Sequence, residues 1–260
     1  MILMMIHTRR SWQERLLAAI VLLLGYLYLL WVLRDSPQSI STTAQLGYAV
    51  TTLVIAYWEI GTFKIVDHRL ALSNNLKIWL ALVGSTIVGM LLLESWPETV
   101  MATLTSRGLL WNTMIALSTG IFEETITRGL LFSVFLQVGH RHQWRLKFTQ
   151  ATIFSSLIFG TLHLTNLGPG NVESVLQQVF YTCVLGVLLS ILRVTTNTLF
   201  WPIGLHFLID WQPDIATSQG PPSADWWVIV TVFSVILIVG LIYLIKFDRA
   251  DERRQVSLSH

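Results

Sequence analysis

Long apolar runs separated by short charged clusters make up most of the chain: about Leu16–Leu33, Ala44–Phe63, Leu76–Leu93, Leu109–Val138, Phe148–Leu164, Val172–Val194, Leu199–Trp211 and Trp226–Ile245. A helix rises about 1.5 Å per residue, so runs of this kind match a hydrocarbon core of about 30 Å. The pattern predicts an all-α fold, a polytopic membrane helical bundle of about eight transmembrane helices, with residues 1–260 forming a single integral membrane domain. Arg9 and Arg10 precede the first run as they would in a secretory leader. That run continues to Leu33 without a small-residue cleavage site and therefore reads as an uncleaved span. The seventh run is short and Pro202 interrupts it, so a kinked or partly spanning helix is expected there. No internal repeat or low-complexity linker divides the chain.

Composition narrows the class. With 53% apolar and 12% charged residues and a mean hydropathy of +0.61, a soluble globular enzyme is excluded. A net charge of +2 is too small to imply a nucleic-acid partner, and membrane lipids are the surroundings this composition fits. The single cysteine, Cys183, leaves no internal disulfide framework and no zinc site built from several thiolates. The basic residues sort by side. Both tails and the even-numbered connections hold Arg9, Arg10, Arg15, Lys64, Arg69, Lys77, Arg141, Arg145, Lys147, Arg193, Lys246, Arg249, Arg253 and Arg254, whereas the odd-numbered connections hold only Arg34 and Arg107. The positive-inside rule then places both termini in the cytoplasm. Trp12, Trp31, Trp96, Trp111, Trp211 and Trp226 lie near span ends and read as interfacial anchors.

Ionisable side chains within spans are costly, so each one present calls for an explanation. They are Glu59, Glu123, Glu124, Arg128, His163, His206 and Asp210. Glu59, near a span end, reads as snorkelling or pairing with Lys64. Glu124 and Arg128 are four apart with the acid on the N-terminal side, the favourable order for an ion pair that locks helices. Glu123 sits beside that pair without a neutraliser of its own, which makes it a candidate general base. Phe159 and His163 are four apart, so the ring can pack beneath the histidine. His206 and Asp210 are also four apart, so the carboxylate can orient or protonate the imidazole. For either histidine alone, a helix–helix hydrogen bond is the competing reading. Helical rise from the nearest basic end puts Glu123, His163 and His206 at depths of roughly 27, 24 and 20 Å, close enough to share one polar, water-admitting layer.

Glu-Glu-x-x-x-Arg at 123–128, Phe-x-x-x-His at 159–163 and His-x-x-x-Asp at 206–210, in this order on separate spans, resemble the CAAX-processing and bacteriocin-processing (CPBP, or Abi) intramembrane endopeptidases. Arg128-Gly129-Leu130 and Thr196-x-x-Leu-x-x-Pro-Ile strengthen the likeness, which covers a motif-bearing core of residues 115–211. The resemblance implies hydrolysis of a peptide bond in a membrane-associated protein or peptide, possibly lipidated. It makes Glu123 the residue that activates water with help from His163, and it makes Glu124, held by Arg128, a positioning acid. His206 would stabilise the oxyanion, and Arg128 and Phe159 would be structural residues around these groups. Asp210 stands where the family often has Asn; an ionised Asp cannot donate to an oxyanion, so it is expected to act through His206. Thr127, often aromatic in the family, is assigned to packing. No cofactor is favoured, although Glu123, His163 and His206 match a catalytic zinc ligand set. The resemblance further implies a bacterial plasma membrane. Rival classes are a proton-coupled transporter, against which stands the lack of an inverted repeat, and a non-proteolytic bacteriocin-immunity factor.

Overall fold

The computed structural model describes residues 8–67, 69–213, 215 and 224–258, with side chains to residue 254. In chain order its elements are α1 (Trp12–Leu33), α2 (Gln38–Ile60), α3 (Asn74–Leu93), α4 (Trp96–Thr105), α5 (Leu109–Glu124), a π-helical turn (Thr125–Leu131), α6 (Phe132–Arg141), α7 (Lys147–Leu162), a 3-10 turn (His163–Asn166), α8 (Val172–Thr196), α9 (Phe200–Asp210) and α10 (Trp226–Leu258). No strand occurs among the described residues. The fold is all-α, as expected.

Local chemistry explains where several helices begin and end. Ser11 caps α1 reciprocally: its hydroxyl accepts from the Glu14 amide at 3.3 Å, and the Glu14 carboxylate accepts from the Ser11 amide at 2.8 Å. Ser73 caps α3 through the Leu76 amide. Gly61, at φ 85°, ends α2 in the left-handed conformation that glycine adopts without steric cost. Asn197, at φ 55°, ends α8 and uses its side chain across the bundle. Its Oδ1 accepts from the amides of Ile65 and Val66 at 2.7 and 3.1 Å, and its Nδ2 donates to the Val66 carbonyl at 2.7 Å.

Each predicted run falls on helix. The fourth is spread over α5, the π turn and α6. Among the described residues, α1, α3, α8 and Trp226–Arg254 of α10 are long and apolar enough to cross a membrane by length and composition. Large side chains such as Leu17, Trp31, Val54, Leu93, Phe200 and Trp227 are exposed. On a soluble protein such apolar surface would be a liability; on a bundle solvated by lipid it is the expected exterior.

Hydrogen bonds tie the helices together at both ends. At the basic end, the Arg9 and Arg10 amides donate to the Ile60 and Glu59 carbonyls, Asp248 accepts from the Phe148 and Thr149 amides, and Lys147 pairs with Asp251 at 2.8 Å. At the opposite end, Trp96 Nε1 donates to the Leu208 carbonyl at 3.0 Å and Trp211 Nε1 to Thr113 Oγ1 at 2.9 Å. Between the ends lie two apolar clusters. One joins α1, α2, α5 and the π turn through residues such as Ala49, Phe122 and Leu130. The other joins α3, α6, α7, α8 and α10 through residues such as Met90, Phe132, Leu188 and Tyr243.

Four features differ from the sequence reading. The fourth run is not a continuous α-helix, because the π turn interrupts it just after the paired acids. Helix α4 was not predicted; it is a short segment whose Thr103 hydroxyl reaches the Trp211 carbonyl at 3.4 Å, beside the end of α9. Pro202 stands in the first turn of α9, where no intrahelical amide donor is needed, rather than in the helix interior; α9 has 11 residues, a length that fits the partly spanning alternative. Arg15, read as a tail charge, is fully buried and donates to Ser133 and Gln137 of α6, and it feels the charge of Glu59.

Candidate active site

Three elements deliver the ionisable side chains singled out by the sequence. Glu123 and Glu124 end α5, and Arg128 lies in the π turn. Phe159 is near the end of α7, and His163 opens the 3-10 turn that follows it. His206 and Asp210 occupy α9. A glycine permits the closest of these approaches. A Cβ on Gly120 would lie 3.2 Å from the Ile203 carbonyl oxygen and 3.2 Å from the Phe207 amide, so backbone meets backbone where α5 crosses α9. That contact is one turn from Glu124 and one residue from His206, and it sets their separation.

Glu124 is the hub. Its Oε1 accepts from Arg128 Nη1 at 2.8 Å and lies 2.8 Å from His206 Nδ1, and the side chains of Glu124 and Arg128 are both wholly buried. Two charged groups removed from water hold together only when hydrogen-bonded in this way. Nδ1 is thus the ring nitrogen engaged by Glu124, and Nε2 faces the other acids, 3.7 Å from Glu123 Oε2 and 3.4 Å from Asp210 Oδ2. Glu123 and Asp210 remain partly exposed, at 28% and 27% of their side-chain surface, so this side of the cluster is the accessible one.

Arg128 is held on three sides. Besides Glu124, its Nη1 donates to Thr127 Oγ1 at 2.6 Å, and its guanidinium lies 4.2 Å over the Phe159 ring, a cation–π contact. Thr127 is therefore more than packing: its hydroxyl also donates to the Glu123 carbonyl at 2.6 Å, linking the backbone of one acid to the cation that neutralises the other. Phe159 meets His163 and His206 edge-on, with ring centres 5.1 and 5.8 Å away. His163 Nδ1 lies 3.0 Å from the Phe159 carbonyl, which can only accept, so Nδ1 is the donor in this contact and Nε2 is the ring nitrogen left for other partners.

The structure thus brings Glu123, Glu124, Arg128, Phe159, His163, His206 and Asp210 into one cluster. Among the described residues no group of three or more His, Cys, Asp or Glu side chains stands in metal-ligating geometry. Sequence reasoning missed the Glu124–His206 contact, which depends on the helix crossing at Gly120. It also missed Tyr26, which stacks on Phe122 with ring centres 3.9 Å apart, next to Glu123. An aromatic residue within an apolar run carries no signal of such a position.

Residues 104–212, from within α4 to just past α9, match the family model described as type II CAAX prenyl endopeptidase Rce1-like. No curated protein and no solved structure matches the chain significantly. The matched segment contains every side chain of the cluster, and the match supports intramembrane endopeptidase activity in general terms. Over residues 104–212 the chain is thus similar to the Rce1-like type II CAAX prenyl endopeptidases, in agreement with the CAAX protease family that its three motifs resemble.

Proposed function

We propose that this protein is an intramembrane endopeptidase in which Glu123, assisted by His163, activates water and His206, assisted by Asp210, stabilises the oxyanion. The observation that carries the reading is the grip of Glu124 on His206 Nδ1, which leaves Nε2 between Glu123 and Asp210 on the accessible side of a buried cluster. Glu123 takes a proton from water, and the water oxygen attacks the scissile carbonyl carbon. With Nδ1–H engaged by Glu124, Nε2–H is the donor for the developing oxyanion, and the negative charges beside it are what a doubly protonated ring needs. Collapse of the intermediate breaks the C–N bond, and the proton held by Glu123 passes to the leaving nitrogen. Glu124 and Arg128 act through His206 and are positioning residues.

The substrate class is a membrane-associated protein or peptide, including prenylated C-terminal tails. The motif-bearing core is residues 115–211 within one bundle, and both termini face the cytoplasm of a bacterial plasma membrane. The mechanism is metal-free, because binding a metal would remove Glu123 from its role as base. Stoichiometric zinc in active protein, with cleavage lost on chelation, would refute that part.

The decisive experiment incubates detergent-purified protein with prenylated and unprenylated peptides and follows cleavage by mass spectrometry. Glu123→Gln is expected to lower turnover by about 10²–10⁴-fold, the usual contribution of a general base. His206→Ala should lower it comparably, with folding intact by gel filtration. Cleavage at the unaltered rate in both variants would sink the protease reading.

A further inference from the structure

A seam of buried polar atoms runs from the cluster along the interface of α7 and α8. Arg128 Nε and Nη2, Glu124 Oε2, Ser156 Oγ, Thr152 Oγ1 and Arg193 Nη1 are all buried without a hydrogen-bond partner among the described residues. Their side chains are at least nine-tenths buried. Gly186 ties two of them to one spot: a Cβ there would lie 2.8 Å from Ser156 Oγ and 2.9 Å from Arg128 Nη2. Thr152 is one turn from Ser156 on the same face of α7, and Arg193 is two turns from Gly186 on α8. Both continue the seam toward the basic end of the bundle. Arg193 also reaches across it, its Nε donating to the Arg128 carbonyl at 3.2 Å.

Buried polar groups are costly unless paired, and lipid offers them nothing. The chemistry of the set identifies the missing partner. The guanidinium groups need an acceptor, Glu124 Oε2 needs a donor, and the hydroxyls take either. An anion would satisfy the first and repel the second. Water serves all of them, and internal water molecules typically make about three such bonds. We propose that a file of internal water molecules occupies this seam, from Glu124 and Arg128 beside the site to Arg193 near the end of α8. Its role rests on the protease reading: each bond cut consumes one water, and the file replenishes it from behind Glu124 and Arg128, the buried side of the cluster, opposite the partly exposed Glu123 and Asp210.

Silver ion, about as small as water and reactive toward thiols, tests the file without reference to cleavage. In a Cys183→Ser background, Ser156→Cys and Thr152→Cys are two near-isosteric reporters. Val187→Cys is the control, because Val187 lies in the apolar core, facing Gly240 of α10. Both reporters are expected to react with silver at least tenfold faster than the control, and either one suffices if the other does not fold. Equal rates in reporter and control would overturn the file whatever the enzyme cleaves. Supply is tested separately: Thr152→Val should lower turnover at least fivefold with KM unchanged, and unaltered turnover would overturn that role.

Discussion

Glu124 holds Arg128 and His206 through a single oxygen, so removing its charge strands a buried guanidinium and frees an imidazole at once. Glu124→Gln is expected to lower stability by about 3–5 kcal/mol, the range for breaking a buried pair, read as a lower unfolding midpoint in detergent. Adding Arg128→Met should restore part of the loss, because no uncompensated charge then remains. Gly186→Ala tests the opposite fault. Its Cβ would intrude on Ser156 and Arg128, at an expected cost of about 1–3 kcal/mol from overpacking and with lowered turnover as Arg128 is displaced from Glu124. The acids and histidines were legible in the sequence because a charge in an apolar run has few innocent explanations. Their mutual distances were not, since residues 124 and 206 meet only through the crossing at Gly120, and one glycine among 16 announces nothing.

At the scale of elements, side chains replace the missing backbone partners at helix ends. Asn197→Ala removes three hydrogen bonds to Ile65 and Val66 and leaves a non-glycine residue at positive φ. The expected cost is about 1–3 kcal/mol for each buried group left unpaired. Limited proteolysis between α2 and α3 should accelerate in that variant, and an unchanged cleavage pattern would count against the clamp. The apolar runs made nearly every helix legible, because lipid-facing segments must satisfy their own backbone. Two elements escaped. Helix α4 is short and mixed in composition, and its place is decided by Trp96 and Thr103 reaching the end of α9. The π turn has no residue signature; it shows only in the backbone, where the Phe132 amide donates to the Thr127 carbonyl.

For the whole molecule, the alternation of basic and non-basic connections makes a directional prediction. In a Cys183→Ser background, single cysteines at Ser36 or Ser106 should be labelled by a membrane-impermeant maleimide on intact cells. Cysteines at Thr8 or Gln143 should be labelled only after lysis, and the reverse pattern would invert the orientation. The π turn has a consequence at this scale too. An α-helix advances about 100° per residue, so a turn one residue wider rotates everything after it against everything before it. The half of the span before the turn aims Glu123 and Glu124 at α9, while the half after it aims Ser133 and Gln137 at Arg15 of α1. A straight α-helix of this sequence could satisfy one set of partners but not both. The turn works as a phase shifter between the acid-bearing half of the span and the half that contacts the N-terminal helix. Deleting a single residue from it would leave the carboxylates in place and turn Ser133 and Gln137 away from Arg15, stranding that buried charge.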